Sequence, residues 1–431
     1  MEQNKLPAGW SWVKLGEVSE INSGIGFPKK HQGKKNEKYP FFKVGDISNN
    51  VREGKRYLEV YDNSISEDDL WEIKGRITEP HSVVFAKIGE ALKLNRRAIT
   101  KENCLVDNNV MSVKVLESKL NYIYLYYFLL VQNLGELSRS TTVPSIRKSD
   151  VENILIPLPP LIEQQKIVDK IEELFSELDN GVANLKKTKE QIKVYKQSVL
   201  KYAFEGKLVK GKMQNGKGKS ENDGLPEGWK YVKMEDVCIK IQDGSHYSPQ
   251  KKYPSNDGTK FLYITSKNIR NNFLDLRNVE YVDKDFHCTI FPRCNPEYGD
   301  VLLTKDGANT GNVTLNTLRE EFSLLSSVCL IKPEISTLIP SYLKYYIQSP
   351  IGFKEITGAM TGTAIKRIIL KNIKIAEIPI PTIDLQTQIV EEIERRFSVA
   401  DKMEAVINES LKKAEGLRQS ILKQAFEGKL V

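Results

Sequence analysis

The sequence predicts an α+β protein made by duplication, in which a mixed head followed by a long helix occurs twice. Three observations carry this. Ordered motifs recur at a nearly constant offset of about 220 residues. Short β-branched and aromatic runs, punctuated by turn residues, fill the first part of each copy. A heptad spacing of apolar residues fills the second part.

The repeat is read directly from the residues. Leu6-Pro7-x-Gly9-Trp10-x-x-Val13-Lys14 returns as Leu225-Pro226-x-Gly228-Trp229-x-x-Val232-Lys233. Phe41 aligns with Phe261, and Ser82 to Lys87 with Asp300 to Lys305. Ile156-Pro157-Leu158-Pro159 matches Ile378-Pro379-Ile380-Pro381, and Ala203 to Val209 recurs letter for letter as Ala425 to Val431. The implied organisation is a first head over 1–155, a helix over 156–209, a linker over 210–224, a second head over 225–377 and a second helix over 378–431. The linker is rich in Gly, Lys and Asn with one apolar residue, Met213. Its Gly211-x4-Gly216-Lys217 misses a phosphate-binding loop, because Gly218 stands where Ser or Thr is needed.

In the heads, Tyr39 to Val44, Ser82 to Ile88, Val110 to Val115, Phe261 to Thr265 and Val301 to Thr304 read as strands. Tyr122 to Leu134 and Pro340 to Gln348 read as short helices. Beyond Pro160, apolar residues fall at Ile167, Ile171, Leu174, Leu178, Leu185, Ile192, Tyr195, Val199 and Tyr202. The second copy has Ile389, Ile393, Ala400, Met403, Ile407, Ala414, Leu417 and Ile421. Alternating steps of four and three place them on one stripe of a helix of about 40 residues, roughly 60 Å long. Such a stripe needs a partner, and the chain supplies its own second copy. Two equivalent units are expected to relate by a pseudo-two-fold axis. An axis crossing the helices makes them an antiparallel coiled coil with a head at either end. A plain dimerisation stalk is the alternative that heptads alone favour.

A net charge of +8 permits a polyanionic partner without requiring one. Five cysteines, odd in number and without a CxxC pair, favour reduced thiols in a cytoplasmic protein. No signal peptide is evident, and the most apolar run, Tyr122 to Val131, is too short to span a bilayer, so no membrane partner is expected.

The motif set is similar to that of type I restriction–modification specificity subunits. The resemblance rests on Ile156 to Val168 at the start of the first helix and on Ser198-x-Leu200-x-x-Ala203-Phe204-x-Gly206-x-Leu208 at its end. The second copy has Ile378 to Gln386 and Ser420-x-Leu422-x-x-Ala425-Phe426-x-Gly428-x-Leu430, departing at Thr382 and Leu385. It covers essentially the whole chain. It implies that the heads are target-recognition domains, each reading half of a split site in double-stranded DNA, and that the helices set the gap. It also implies two modification subunits that bind S-adenosylmethionine and methylate adenine, and restriction subunits with ATP and magnesium in a larger complex. No cofactor is expected in this chain.

The residues give an independent reason to expect no catalysis. An adenine methyltransferase needs Asn, Asp or Ser before Pro-Pro and an aromatic residue after it. The Pro159-Pro160 pair is flanked by Leu158 and Leu161, and no Pro-Asp dipeptide opens a nuclease motif. The four histidines show no metal-ligand spacing, His287-Cys288 with Cys294 being the nearest cluster, so no metal is expected. Two rivals remain open: an enzyme fused to a recognition module, and a coiled-coil scaffold without nucleic acid.

Candidate DNA contacts are polar and basic residues in loops after strands. In the first head these are Lys43, Asp46, Lys87, Asn95, Arg96, Arg97, Ser145 and Arg147. In the second they are Thr265, Ser266, Lys267, Asn268, Arg270, Lys305, Asn309, Thr310, Asn312, Thr363, Lys366 and Arg367.

Overall fold

The computed structural model describes residues 6–138, 143–209, 225–358 and 367–431. The expected linker over 210–224 therefore lies outside the described residues. The chain divides into two compact units, 1–185 with 409–431, and 186–408. The sequence assigns each long helix to its own copy. The units instead divide each helix between them.

In the first unit a five-stranded sheet runs in the order Ser19–Ser23, Val110–Val115, Ser82–Ala86, Ala98–Thr100, Tyr57–Leu58. A three-stranded sheet sets Tyr39–Phe42 between Ser64–Ile65 and Leu105–Val106. The Tyr122–Val131 helix is capped by Asn121, whose Oδ1 accepts the Ile123 amide at 2.8 Å. It ends three residues before the expected Leu134, with a 3-10 turn at Leu134–Leu137 beyond it.

The second unit repeats the plan. Its four-stranded sheet runs Cys238–Asp243, Val328–Pro333, Val301–Thr304, Val313–Leu315, beside a three-stranded sheet centred on Phe261–Ile264. The expected Pro340–Gln348 helix is present with those bounds.

The motifs that flag each repeat are hydrogen-bonded to one another. The strand Ser11–Lys14, after Trp10, pairs antiparallel with Leu155–Leu158, just before the first long helix. Lys230–Lys233 pairs in the same way with Glu377–Ile380. At each helix start a fully buried glutamine ties the junction. Gln164 Nε2 donates to Lys119 O at 3.0 Å and Pro159 O at 2.8 Å, and Oε1 accepts the Asn121 amide at 2.8 Å. Gln386 does the same with Thr337 O at 2.9 Å, Pro381 O at 3.1 Å and the Ile339 amide at 2.9 Å.

The long helices span Leu161–Phe204 and Ile383–Phe426, 44 residues each. They run antiparallel. In the second unit Lys196 meets Asp401 at 2.5 Å while Lys189 meets Asn408 at 2.8 Å, so one number rises as the other falls. In the first unit Arg418 pairs with Asp179. Each helix ends in an aromatic anchor: Phe426 packs edge-on against Tyr124 and Phe128, and Phe204 against Tyr342 and Tyr346.

The expected seam holds at Ile167, Ile171, Ile192, Val199, Ile389, Ile393, Ala400, Ile407, Ala414 and Ile421, all buried. Leu174, Leu178 and Leu185 are half-buried. Tyr195, Tyr202, Met403 and Leu417 are exposed, which corrects their place in it. A single facing helix covers one narrow stripe. The alternate heptad position then lies at its open edge unless a head covers it.

Candidate nucleic-acid interface

The loops that follow the central strands converge in each head, and the same backbone wiring holds them. In the first head the Lys87 amide donates to Asn109 O at 2.9 Å, and Ile146 N to Lys87 O at 3.0 Å. In the second, Lys305 N donates to Ser327 O at 2.9 Å and Ile368 N to Lys305 O at 2.8 Å. Gly24 and Gly244 lie against carbonyls of the adjoining strand end. A Cβ there would overlap the oxygens of Val106 and Asp107, or of Leu324 and Leu325. Gly89 and Gly307 turn the loops at φ +77° and +99°, a region open to glycine at little steric cost.

The structure therefore gathers Lys87, Ser145 and Lys43 around one loop cluster. Ser145 bridges Ile88, and the Asp107 amide donates to Phe42 O at 2.9 Å, beside Lys43. Lys43 Nζ reaches Gln32 Oε1 at 3.1 Å and lies over the Phe27 ring. Arg147 is exposed just past Ser145. In the second head Ser266, Asn309, Asn312, Thr310 and Arg367 join. Asn309 Nδ2 donates to Ser266 O at 3.1 Å, Asn312 Nδ2 to Ile269 O at 3.2 Å, and Thr310 Oγ1 to Gly307 O at 2.6 Å. Arg367 pairs with Asp306 at 3.4 Å. Lys267 is exposed, and Arg270 is half-buried with Nη1 on Ile269 O at 3.1 Å. Thr363 and Lys366 lie outside the described residues.

Several candidates are frame residues instead, which corrects the expectation that they face DNA. Asp46 is buried and caps its own helix, accepting the Lys43 amide at 2.7 Å, and burial pushes its carboxyl up. Thr265 and Asn268 are buried and bonded to each other at 3.1 Å. Arg97 is 1% exposed under Phe85, and burial pushes its guanidinium down to about 9. It donates to Asn95 Oδ1 and to Arg96 O. Asn95 Nδ2 reaches Leu130 O at 3.0 Å, so this loop turns back onto the Tyr122–Val131 helix rather than joining the cluster. Arg96 is half-buried there. Lys305 is buried, with Nζ 2.9 Å from Asp243 Oδ2.

Sequence reading missed Ser23, Asp243 and Arg293, whose partners lie far along the chain, and His246, which faces Asp243. It also missed the loop bearing Lys29, Lys30, Lys34, Lys35 and Lys38, whose charge run was visible. Four of these lysines pair with acids of the next segment: Lys30 with Glu72, Lys34 with Asp69 at 2.8 Å, Lys35 with Asp62 at 3.4 Å and Lys38 with Glu67 at 2.6 Å.

His287, Cys288 and Cys294 do not gather: His287 is stacked on Phe261 and bonded to Ser323 Oγ, Cys288 is exposed and Cys294 is buried. Among the described residues, His31, Asp69 and Glu72 do lie together. The same two carboxylates already hold Lys34 and Lys30.

A duplicated head, polar loops gathered at the strand ends and a shared pair of antiparallel helices define a class of tandem recognition protein. The type I restriction modification DNA specificity domain matches residues 7–194 and again 226–413, and the chain belongs to that family. Its heads are two tandem target-recognition domains of a specificity subunit. The chain is 24% identical to the type I restriction enzyme EcoBI specificity subunit of Escherichia coli, covering 98% of this chain and 86% of that one. The fold is shared with a chain solved for complex assembly and conformational transition of the type I R-M system (TM-score 0.72, 20% identity, 99% of each chain). It is also shared with the HsdS subunit from Thermoanaerobacter tengcongensis (TM-score 0.60, 19% identity, 99% of each chain). No described helix is long and apolar enough to cross a membrane.

Proposed function

We propose that each head reads one half of a bipartite site in duplex DNA and that the two shared helices set the gap between the halves. The chain docks two modification subunits, which supply S-adenosylmethionine and methylate adenine. Restriction subunits using ATP and magnesium join the larger complex, and the assembly works in the cytoplasm. The chain itself contributes specificity and no chemistry. The observation that carries this reading is the family's DNA specificity domain occurring twice, each copy ending its central strands in a polar loop cluster.

The test is methylation mapping of the source genome, repeated with residues 1–155 replaced by the head of a relative. One half of the methylated sequence should change; a change in both halves or neither would refute the assignment. Labelled S-adenosylmethionine should give methyl transfer only when modification subunits are added. Turnover by the chain alone would revive the fused-enzyme reading.

A further inference from the structure

The duplication allows one charged residue to be compared with itself in two settings. Lys87 and Lys305 each follow the third strand in the order of their main sheet and share the backbone bonds given above. One strand further across each sheet, beyond the strand that pairs with both, the edge strand ends at Ser23 in one head and Asp243 in the other. These two residues occupy the same place: Ser23 pairs with Met111 and Asp243 with Cys329. The glycine after each donates to the matching valine carbonyl, Gly24 to Val110 O and Gly244 to Val328 O, both at 3.0 Å.

Only the ammonium's partner differs. Lys305 Nζ sits 2.9 Å from Asp243 Oδ2, with both side chains buried. The same carboxylate takes Arg293 Nη2 at 2.9 Å and faces His246 Nε2 at 3.2 Å. Burial alone would raise the Asp243 carboxyl, but Lys305 and Arg293 outweigh it and hold it at about 2. Lys87 is half-buried as a residue, and its Nζ donates to the neutral Ser23 Oγ at 3.1 Å in an exposed bond. It meets no carboxylate among the described residues.

We infer that the residue at 23 or 243 decides whether the strand-end lysine serves DNA: Ser23 leaves Lys87 for an acceptor on the duplex, whereas Asp243 commits Lys305 to the frame of its own head. This rests on the DNA-recognition reading. A hydroxyl leaves the ammonium's full charge uncompensated at a loop cluster open to solvent. A buried carboxylate with two cationic partners supplies the lysine's counter-charge internally, and pulling it away would leave that carboxylate short of a partner. The two heads therefore differ in charge presented to DNA although their sequences read Lys at both positions.

The experiment uses the full chain with its modification subunits and a labelled duplex carrying the mapped site. Binding is measured against salt concentration for Lys87→Ala, Ser23→Asp, Lys305→Ala and Asp243→Ser. Lys87→Ala should lower the magnitude of the slope of log K against log salt by about 1, the signature of one lost phosphate contact. If Lys87 instead reads a base edge, the slope stays and methylation relaxes at one base pair of that half-site. Ser23→Asp, at an exposed position, should reproduce whichever loss Lys87→Ala gives. Lys305→Ala should leave the slope unchanged, and Asp243→Ser should steepen it by about 1 as Lys305 is released. A Lys87→Ala complex with wild-type slope and specificity would overturn the inference. So would Lys305→Ala behaving like Lys87→Ala, or Ser23→Asp having no effect. A wild-type complex that fails to bind the duplex at all would overturn the DNA reading itself, which separates the two failures.

Discussion

The two heads share a frame and differ in how they dispose of charge. Equivalent strands carry equivalent backbone bonds at Lys87 and Lys305, and the same glutamine, tyrosine and phenylalanine fasten each head to the helices. Tyr124 and Tyr342 each donate to a proline carbonyl, Pro157 O and Pro379 O, at 2.7 Å. At the strand-end cluster of the second head, Lys305 and the helix residue Arg293 meet Asp243, and Arg367 meets Asp306. In the first, Lys87 meets a serine. Duplication therefore preserved what buries apolar surface and satisfies backbone, while residues at the strand ends were free to diverge. Loop residues at the surface change without loss of the core, whereas a buried glutamine with three partners does not.

That equivalence can be broken by matched substitutions. The largest effect is expected at the aromatic anchors. Phe204→Ala and Phe426→Ala each empty a site packed against two aromatic rings and should cost about 3–5 kcal/mol. Urea denaturation followed by hydrogen exchange should place the loss in the second unit for Phe204→Ala and in the first for Phe426→Ala. A loss confined to the unit whose head precedes the helix in sequence would contradict the exchange of helix ends.

A smaller, equal pair of effects is expected at Gln164→Ala and Gln386→Ala. Each leaves two carbonyls and one amide without their partner, a penalty of about 1–3 kcal/mol for a buried group. Denaturant midpoints of the two variants should shift alike. A silent Gln386→Ala beside a damaging Gln164→Ala would show that the departures at Thr382 and Leu385 changed that junction.

The smallest contrast lies in acid. Asp243 has a folded pKa held below its unfolded value of about 3.9. Its contribution is fully present above about pH 4 and is lost as pH falls toward about 2. The second head of the wild type should lose protection from hydrogen exchange across that window. Asp243→Asn should be weaker at neutral pH and flatter in acid. The first head, with Ser23 at the equivalent place, should lack this component. Equal acid responses in both heads would remove Asp243 as the cause.

Much of this architecture was legible in the chain because its signals are local. Heptad spacing needs only neighbours along one helix, and 44-residue helices duly begin just after Pro160 and Pro381. Strand runs such as Val301–Thr304 are short enough that β-branching and flanking turns define them. Loop function was harder to read. Lys87 and Lys305, or Arg96 and Arg97, look alike as letters, yet Arg97 is enclosed beneath Phe85 and Lys305 beside Asp243.

The sequence alone determined that there are two copies, that each carries a long amphipathic helix, and that their loops are polar. Periodicity and repetition are properties of the chain order itself. Tertiary structure decided which surfaces complete those patterns. It placed the end of each helix under aromatic side chains of the other copy's head and left Tyr195, Tyr202, Met403 and Leu417 exposed. It also gave Lys305 a carboxylate where Lys87 has a hydroxyl. A residue's letter fixes its volume and charge, but its partner comes from a distant part of the chain. Burial and ion pairing depend on that partner.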